Sequence, residues 1–491
     1  MAQPAPAPLL FPADAQHGAG VALAGRRLHF SGIGGSGMSG LARMAGKRGA
    51  RVTGSDKGGG PSVEALRAEG FSVSGEQTET SVPWGTEVLV ISAAIKNDHP
   101  EVVEARRRGL EVVKYAQVLG ALMRGRVGVA VAGTHGKSTT TSILAHILIS
   151  AGLDPSFIVG ANCPQIGGGA RTSSKAGTEG EVLVAEACEF DRSFHNFNPT
   201  HAVILNVEAD HLDVYSGIEE IVESFAFFAR KLPQDPRLGT LLIHHESPHR
   251  FKITAGLDCR VETIGFASQA DWQVEILPEG QVRLRHLGEV VCPFHSPMPG
   301  DHFAYNASCA AVLANRCGAG WEAIAAAIGT FAGLDRRMQR LGSMKIDRPG
   351  TGGQALVIDD YGHHPTEIDT TLRALRQFYR PKRLVCVFQP HQHSRTRFLM
   401  EEFATAFSAA NVVMVPEIFF SRDSEQERRA VTAGDLVARL RKCGVTAWHV
   451  SPLGAIVEQL RETARDGDLI VTMGAGDVWT VSHELVKPAA V

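Results

Sequence analysis

Two glycine-rich turns, each preceded by a short strand-like run and followed by a helical pattern, constrain this chain more than any other feature. The first is Gly32-x-Gly34-x-x-Gly37, after Arg27 to Phe30; the second is Gly133-Thr134-His135-Gly136-Lys137-Ser138-Thr139, after the apolar run Val127 to Ala132. A strand that passes through such a turn into a helix opens a βαβ unit, and the crossover makes the next strand pair in parallel. Runs at Arg51 to Thr53, Val88 to Ser92 and Leu110 to Val113 continue the first alternation; Val182 to Glu186 and Ala202 to Asn206 continue the second. Leu241 to Cys292 reads as short strands and turns, followed by a helix from about Tyr305 to Asn315. Beyond Phe331, the runs Leu356 to Asp359, Leu384 to Phe388, Val412 to Val415 and Leu469 to Met473 read as buried strands with helices between them. Glycine and proline cluster between Leu341 and Gly353 and mark the last boundary. With 491 residues available, the pattern predicts three α/β units in series: 26–125, 126–341 and 342–491.

Composition narrows the function classes. A net charge of -3 without a Lys/Arg block provides no field for a nucleic-acid backbone, so no nucleic-acid partner is expected and anions must be held at local sites. No apolar run approaches a membrane span, so no membrane partner is expected either. The eight cysteines form no CxxC pair and no zinc spacing; they are expected to be reduced, buried thiols of a cytoplasmic protein. The first 25 residues are rich in Ala, Pro and Gly, lack a basic start and a cleavage signal, and are expected to be a disordered extension.

Four motifs carry chemistry. The first glycine turn lets backbone N–H groups approach a diphosphate at a helix N-terminus, with Asp56, at the end of the next strand, in reach of a ribose hydroxyl. That reading leaves open which nucleotide binds; NAD is one answer, and a purely structural turn is another. The second turn suits ATP: backbone amides cradle phosphates, Lys137 neutralises β/γ charge, and the Ser138 hydroxyl can ligate Mg²⁺. Its first glycine lies closer to Gly136 than in the usual phosphate loop. The third is acidic and histidine-bearing, Glu186-Ala-Cys-Glu189-Phe-Asp191 and Asn206-Val-Glu-Ala-Asp210-His211-Leu-Asp213, at strand ends beside that loop, a donor set suited to Mg²⁺. The fourth combines Asp359-Asp360-Tyr361-Gly362-His363-His364-Pro365-Thr366-Glu367 with Gln389-Pro-His391-Gln392-His393-Ser394-Arg395-Thr-Arg397, again at strand ends, where α/β units bind ligands.

In this order and spacing the motifs closely resemble those of the Mur ligases. The resemblance runs from about Arg27 to Glu484 and is carried most specifically by Gly32-Ile-Gly-Gly-Ser-Gly-Met-Ser-Gly-Leu-Ala42, Ala132-Gly-Thr-His-Gly-Lys-Ser138, Glu208-Ala-Asp-His211, Asp359-Asp-Tyr-Gly-His-His-Pro-Thr-Glu-Ile368 and Met473-Gly-Ala-Gly-Asp477. It implies an α/β fold of three domains: a Rossmann-like N-terminal domain, a central P-loop-type ATPase domain and a Rossmann-like C-terminal domain. It further implies ATP-dependent joining of L-alanine to the carboxylate of UDP-N-acetylmuramate through an acyl phosphate, with Mg²⁺, in peptidoglycan precursor synthesis, by a monomer or homodimer.

By the same resemblance Gly32, Gly34, Gly35, Gly37 and Asp56 hold the UDP-sugar, and Gly133, Thr134, His135, Gly136, Lys137, Ser138, Thr139, Asn306 and Asp360 hold ATP. Lys137, Glu189, His211 and Arg337 are the implied catalytic set; Ser138, Glu189 and His211 are the implied metal ligands. Tyr361, His363 and Arg395 match positions around the incoming amino acid. His211 can alternatively be read as the base that takes the amine's proton. The chain departs from the family pattern at Gln392 and Tyr115, where arginine is more frequent, at Cys188 and Phe190 beside Glu189, and at Phe303, where asparagine is frequent. Three rivals stay open at this stage: a ligase that adds a whole tripeptide to the same sugar nucleotide, a nicotinamide oxidoreductase, and a nucleotide-binding regulator without turnover.

Overall fold

The computed structural model describes residues 9–11, 20–178, 180–348 and 351–487. The chain divides into two compact units. The first comprises the described residues of Met1–Ala209, Val214–His295 and Tyr305–Phe331; the second comprises those of Asp210–Asp213, Ser296–Ala304 and Ala332–Val491.

Two sheets build the first unit. One has five parallel strands in the order Ser72–Ser74, Arg51–Ser55, Arg27–Ser31, Val88–Ile91, Glu111–Lys114. Its register aligns carboxyl ends: Ser31 pairs with Ser55 on one side and Ile91 on the other, so the turn at Gly32 leaves the sheet where the strand order reverses. The other sheet has ten strands, in the order Glu289–His295, Gln281–His286, Trp272–Ile276, Arg260–Gly265, Thr240–His244, His201–Ile204, Val127–Ala132, Val182–Ala187, Ser156–Ile158, Ala170–Arg171. In it Ala132 pairs with both Ala187 and Ile204, which brings the turn after Gly133, the loop carrying Glu189 and the Leu205-Asn206 step to one edge. The central strands are apolar on both faces, as a sheet covered by helices on both sides requires.

One apolar core runs through both sheets of this unit, from Leu28, Phe30 and Leu41 to Ala130, Phe194 and Phe225. A buried carboxylate reinforces the junction. Glu181, just ahead of Val182–Ala187, accepts from the Ser156 hydroxyl at 2.6 Å and the Gly177 N–H at 2.7 Å. Arg126 lies 2.9 Å from it, and Arg48, capping the helix Ser36–Lys47 of the five-stranded side, pairs with it as well.

The second unit has a six-stranded sheet ordered Gln339–Arg348, Thr351–Asp360, Asp468–Met473, Arg383–Phe388, Val412–Val415, Ala447–His449, parallel except for the first pair. Met473 pairs with Asp360 and Phe388, so the fourth motif's two halves leave the sheet side by side.

Of the Gly/Pro cluster between Leu341 and Gly353, Gly342, Gly352 and Gly353 lie in an antiparallel pair of strands of the second unit, Pro349 and Gly350 lie outside the described residues, and the two compact units part at Phe331 and Ala332. Gly342 and Gly353, both at φ 146°, serve strand geometry, Gly342 at a bulge where the register shifts. The expected disordered extension is ordered in part. Phe11 and Leu23 are buried in the first unit's core, and the N–H groups of Leu10 and Phe11 each donate to the Glu111 carboxylate at 2.8 Å. Isolated apolar residues in an Ala/Pro-rich stretch gave no periodic signal of this docking. Residues 1–8 and 12–19 of that stretch lie outside the described residues.

Candidate functional site

At the first turn, the N–H groups of Gly32 and Ile33 donate to the Ser55 carbonyl at 2.8 and 3.1 Å, and Gly32 takes a positive φ of 77°. The helix Ser36–Lys47 that follows has Gly35 as N-cap, no side-chain cap and no acidic residue in its first turn, which leaves its positive end to an anion. Asp56 accepts from the N–H of Gly34 at 2.8 Å and of Gly58 at 2.9 Å. It therefore braces the turn, and a Cβ at Gly34 would lie 2.8 Å from its carboxylate. Beneath the turn, Glu101 is fully buried, with His29 at 3.4 Å and the Ser31 hydroxyl donating to it. Burial raises a carboxyl pKa, but here the hydrogen bonds from His29 and Ser31 outweigh it and the net shift is downward. Tyr115 closes the same locus: its hydroxyl would lie 3.0 Å from a Cβ at Gly37.

The second turn is the most constrained part of the unit. Gly133 and Gly136 take φ of 141° and 82°, and Gly136 is the N-cap of Lys137–Ser150. A Cβ at Gly136 would meet the Asn306 amide at 2.8 Å, which sets Asn306 directly against the second glycine turn. Asn206 zips the loop to the neighbouring strand end: its side chain accepts from the His135 N–H at 2.7 Å and donates to the His135 carbonyl at 3.1 Å, while its carbonyl accepts from Thr134 N–H at 3.1 Å. The Lys137 ammonium donates to the carbonyls of Gly133 (2.5 Å) and Thr134 (3.0 Å) and to the Glu189 carboxylate (2.9 Å). Burial opposes its charge, but the adjacent Glu189 carboxylate outweighs that, so Lys137 stays protonated well above its ordinary value. Glu189 is buried, and the Tyr215 hydroxyl fixes its backbone carbonyl at 2.6 Å. A carboxylate and the Ser138 hydroxyl at this edge are oxygen donors that suit a hard divalent cation. His211 belongs to the short Asp210–Asp213 segment and groups with the second unit.

In the second unit Asp360 is buried, accepting from the N–H groups of Met338 and Gly362, each at 2.7 Å. Burial pushes its pKa up to about 6 in spite of the nearby Arg337. The guanidinium groups of Arg336 and Arg337 lie 5.1 and 5.0 Å from the Tyr361 ring, and Arg337 also pairs with Glu367 at 3.4 Å. His363 packs edge-on to Tyr361 and faces His391, whose ring stacks on Phe419. Burial lowers His363 to about 3 and His391 to about 4, so both rings are neutral at pH 7. Arg395 donates to one oxygen of Asp210 through Nε (3.1 Å) and Nη2 (2.8 Å).

The structure thus gathers Gly32, Gly34, Gly35, Gly37 and Asp56 at one locus of the first unit, and Gly133 to Thr139 with Glu189 and Asn306 at a second. It gathers Arg337, Asp360, Tyr361, His363 and Arg395 in the second unit. Sequence reasoning gave no role to Asn206, Tyr215, Glu101, Arg336, Glu367 or His391. Asn206, His391 and Glu367 stand inside motifs already singled out; Tyr215 is set in place by tertiary packing, its hydroxyl on the Glu189 carbonyl.

No helix among the described residues is long and apolar enough to cross a membrane. Comparison with known proteins accords with this layout. Residues 27–127 match the Mur ligase family catalytic domain, 131–314 the Mur ligase middle domain and 336–476 the Mur ligase glutamate ligase domain. The chain is 38% identical to a UDP-N-acetylmuramate–L-alanine ligase of Geotalea daltonii, over 94% of this chain and 97% of that one. It is 37% identical to one of Chromobacterium violaceum, over 94% and 99%. The solved UDP-N-acetylmuramate-alanine ligase of Thermotoga maritima shares the fold, with a TM-score of 0.72 at 23% identity over 94% of this chain and 98% of that one. Three consecutive domain matches and relatives of this identity along nearly its whole length establish that the chain belongs to the Mur ligase family.

Proposed function

We propose that the protein joins L-alanine to the carboxylate of UDP-N-acetylmuramate at the expense of ATP. The observation that carries the reading is the Lys137–Glu189 pair beneath the Gly133–Gly136 turn, with Asn306 against the turn: a lysine held charged where phosphates would enter. A free carboxylate does not acylate an amine at neutral pH because its oxygen is a poor leaving group. Attack of the muramate carboxylate on the γ-phosphorus of ATP gives an acyl phosphate and ADP; the alanine amine then adds to the carbonyl, and phosphate leaves from the tetrahedral intermediate.

The chain's own residues orient these partners and balance their charge. On ATP entry Lys137 exchanges its two loop carbonyls for phosphate oxygens. Asn306 meets the adenine side, and Arg337 and Asp360 the phosphates and ribose. The uncapped helix at Gly35 and the braced turn at Asp56 take the UDP diphosphate. Mg²⁺, held by Ser138, Glu189 and His211, would lower the charge repulsion between carboxylate and phosphates. Tyr361, His363 and Arg395 surround the amino acid.

The test is phosphate release from Mg-ATP and UDP-N-acetylmuramate with L-alanine, with the tripeptide, or with neither. Release dependent on L-alanine, with the coupled product seen by mass, is the expected result. Release with tripeptide alone would move the protein to the tripeptide-adding branch, and none with either would overturn the reading.

A further inference from the structure

The run Met473-Gly474-Ala475-Gly476-Asp477, singled out in the sequence, enters no step of the proposed reaction. In the structure it closes on Arg336, to which that reaction assigns nothing either. The Arg336 guanidinium spans neighbouring strand ends of the second unit. Its Nε donates to Oδ2 of Asp359 at 3.2 Å, and its Nη2 donates to the Gly474 carbonyl at 2.6 Å. Asp359 is fully buried, and its other oxygen accepts from the Thr472 hydroxyl at 2.7 Å. Gly474 takes φ 143°, its N–H donates to the Asp360 carbonyl at 3.2 Å, and a Cβ there would lie 2.6 Å from the Gln389 carbonyl oxygen. Only glycine lets the chain turn so close to the next strand end.

Arg336 also begins a turn with left-handed backbone. Arg336 and Met338 take φ of 58° and 46°, a region that residues other than glycine rarely adopt. Such a backbone persists only where its surroundings hold it. Hydrogen bonds do so here. The Arg336 N–H donates to the Gln339 side-chain oxygen at 3.0 Å, its carbonyl accepts from the Tyr361 N–H at 2.7 Å, and the Met338 N–H donates to the Asp360 carboxylate at 2.7 Å. The guanidinium itself lies 5.1 Å from the centre of the Tyr361 ring. Arg337 stands between the left-handed residues, so the turn sets where its side chain leaves the backbone, with Glu367 at 3.4 Å and the Tyr361 ring at 5.0 Å. One side chain thereby fastens together Arg337, Asp360 and Tyr361, the residues to which the ligase reading gives ATP and the amino acid.

We infer that Arg336 is a positioning residue: by bridging Asp359 and the Gly474 carbonyl it fixes the turn that presents Arg337, Asp360 and Tyr361 to ATP and the amino acid. The inference rests on the proposed ligase reading. The contacts of Arg336 are with the protein, and it acts through the residues it holds. Lysine in its place would keep the charge beside Asp359 but lose the planar fork that reaches both acceptors at once. Displacing a ligand-contacting side chain by about 1 Å can cost on the order of a hundredfold in rate.

The experiment measures phosphate release against each substrate in turn, with urea unfolding on the same samples. Wild type is measured first. If its release does not depend on L-alanine, the ligase reading fails before Arg336 is in question. Given that dependence, Arg336→Lys is expected to raise the KM values for ATP and L-alanine about tenfold each and to lower kcat about tenfold. The KM for UDP-N-acetylmuramate, whose proposed locus is in the first unit, should stay within about twofold. Arg336→Gln leaves Asp359 buried without its cation and should lower stability. Adding Asp359→Asn to it should return the stability but not the KM values, whereas a residue needed for folding alone would give back both. Wild-type KM values for ATP and alanine in a folded Arg336→Lys overturn the inference. So does their return in a stable double variant, an equal rise for all substrates, or failure of both Arg336→Lys and the double variant to fold.

Discussion

Replacing Glu181 by alanine is expected to loosen the whole first unit, although Glu181 touches no residue of the glycine turns. The side chain is fully buried and faces two guanidinium groups, Arg48 and Arg126, themselves only 3% and 7% exposed. Burial already lowers the Arg48 pKa, and the Glu181 carboxylate is what holds its charge in place. Removing one partner of a buried ion pair costs about 3–5 kcal/mol, because the remaining charge has no counter-ion. The Ser156 hydroxyl and Gly177 N–H also lose their acceptor, at about 1–3 kcal/mol each, though these terms do not add in full within one network. A total near 5 kcal/mol is expected. For a unit of roughly 300 residues the unfolding entropy is about 0.6 kcal/mol per degree, so Tm should fall by about 8 °C. Glu181→Gln keeps an acceptor but not the charge and should lose about 3 kcal/mol. Arg48→Met leaves Arg126 to neutralise Glu181 and should cost least of the three. Urea and thermal unfolding followed by circular dichroism measure the series. A Glu181→Ala variant within 1 kcal/mol of wild type would show that the network is not held by charge, and the reasoning would be wrong.

Three further outcomes follow from the same physics. Lys137→Met should reduce phosphate release by about a thousandfold through lost phosphoryl stabilisation. It should also lower stability by about 3 kcal/mol because Glu189 is left buried alone; adding Glu189→Gln should return stability without activity, and a stable single variant would contradict this. Asn206→Ala unpins the phosphate loop at His135, and titration with an ATP analogue should show about tenfold weaker binding; unchanged affinity would mean the loop is held otherwise. Burial holds His201 of the first unit and His302 of the second at about 4, so between pH 6.5 and 4 the unfolded chain takes up protons that the folded chain does not. Stability should be complete above pH 6.5 and fall as pH drops toward 4, by up to about 3 kcal/mol per histidine; a urea midpoint constant over this range would refute it.

Local chemistry along the chain determined the parallel α/β architecture and the two glycine-rich strand-to-helix turns, because a strand ending in glycines before a helix has few other folded solutions. It also singled out Lys137, Glu189, Asp360 and Arg395, each standing one to seven residues past an apolar run, hence near a carboxyl edge. The role of glycine at Gly342 and Gly353 was illegible, since a bulge and a linker ask for the same residue and only the paired strand distinguishes them. Docking of Phe11 and Leu23 was likewise hidden, because two separate apolar side chains make no period. Long-range pairings were beyond reach for a different reason. Glu181 meets Arg48 across 133 positions and Arg395 meets Asp210 across 185, and nothing in the composition of either segment names its partner. The charge on a residue can be read from its identity, whereas the neighbour that neutralises it, and the pKa that results, depend on which elements the fold stacks together.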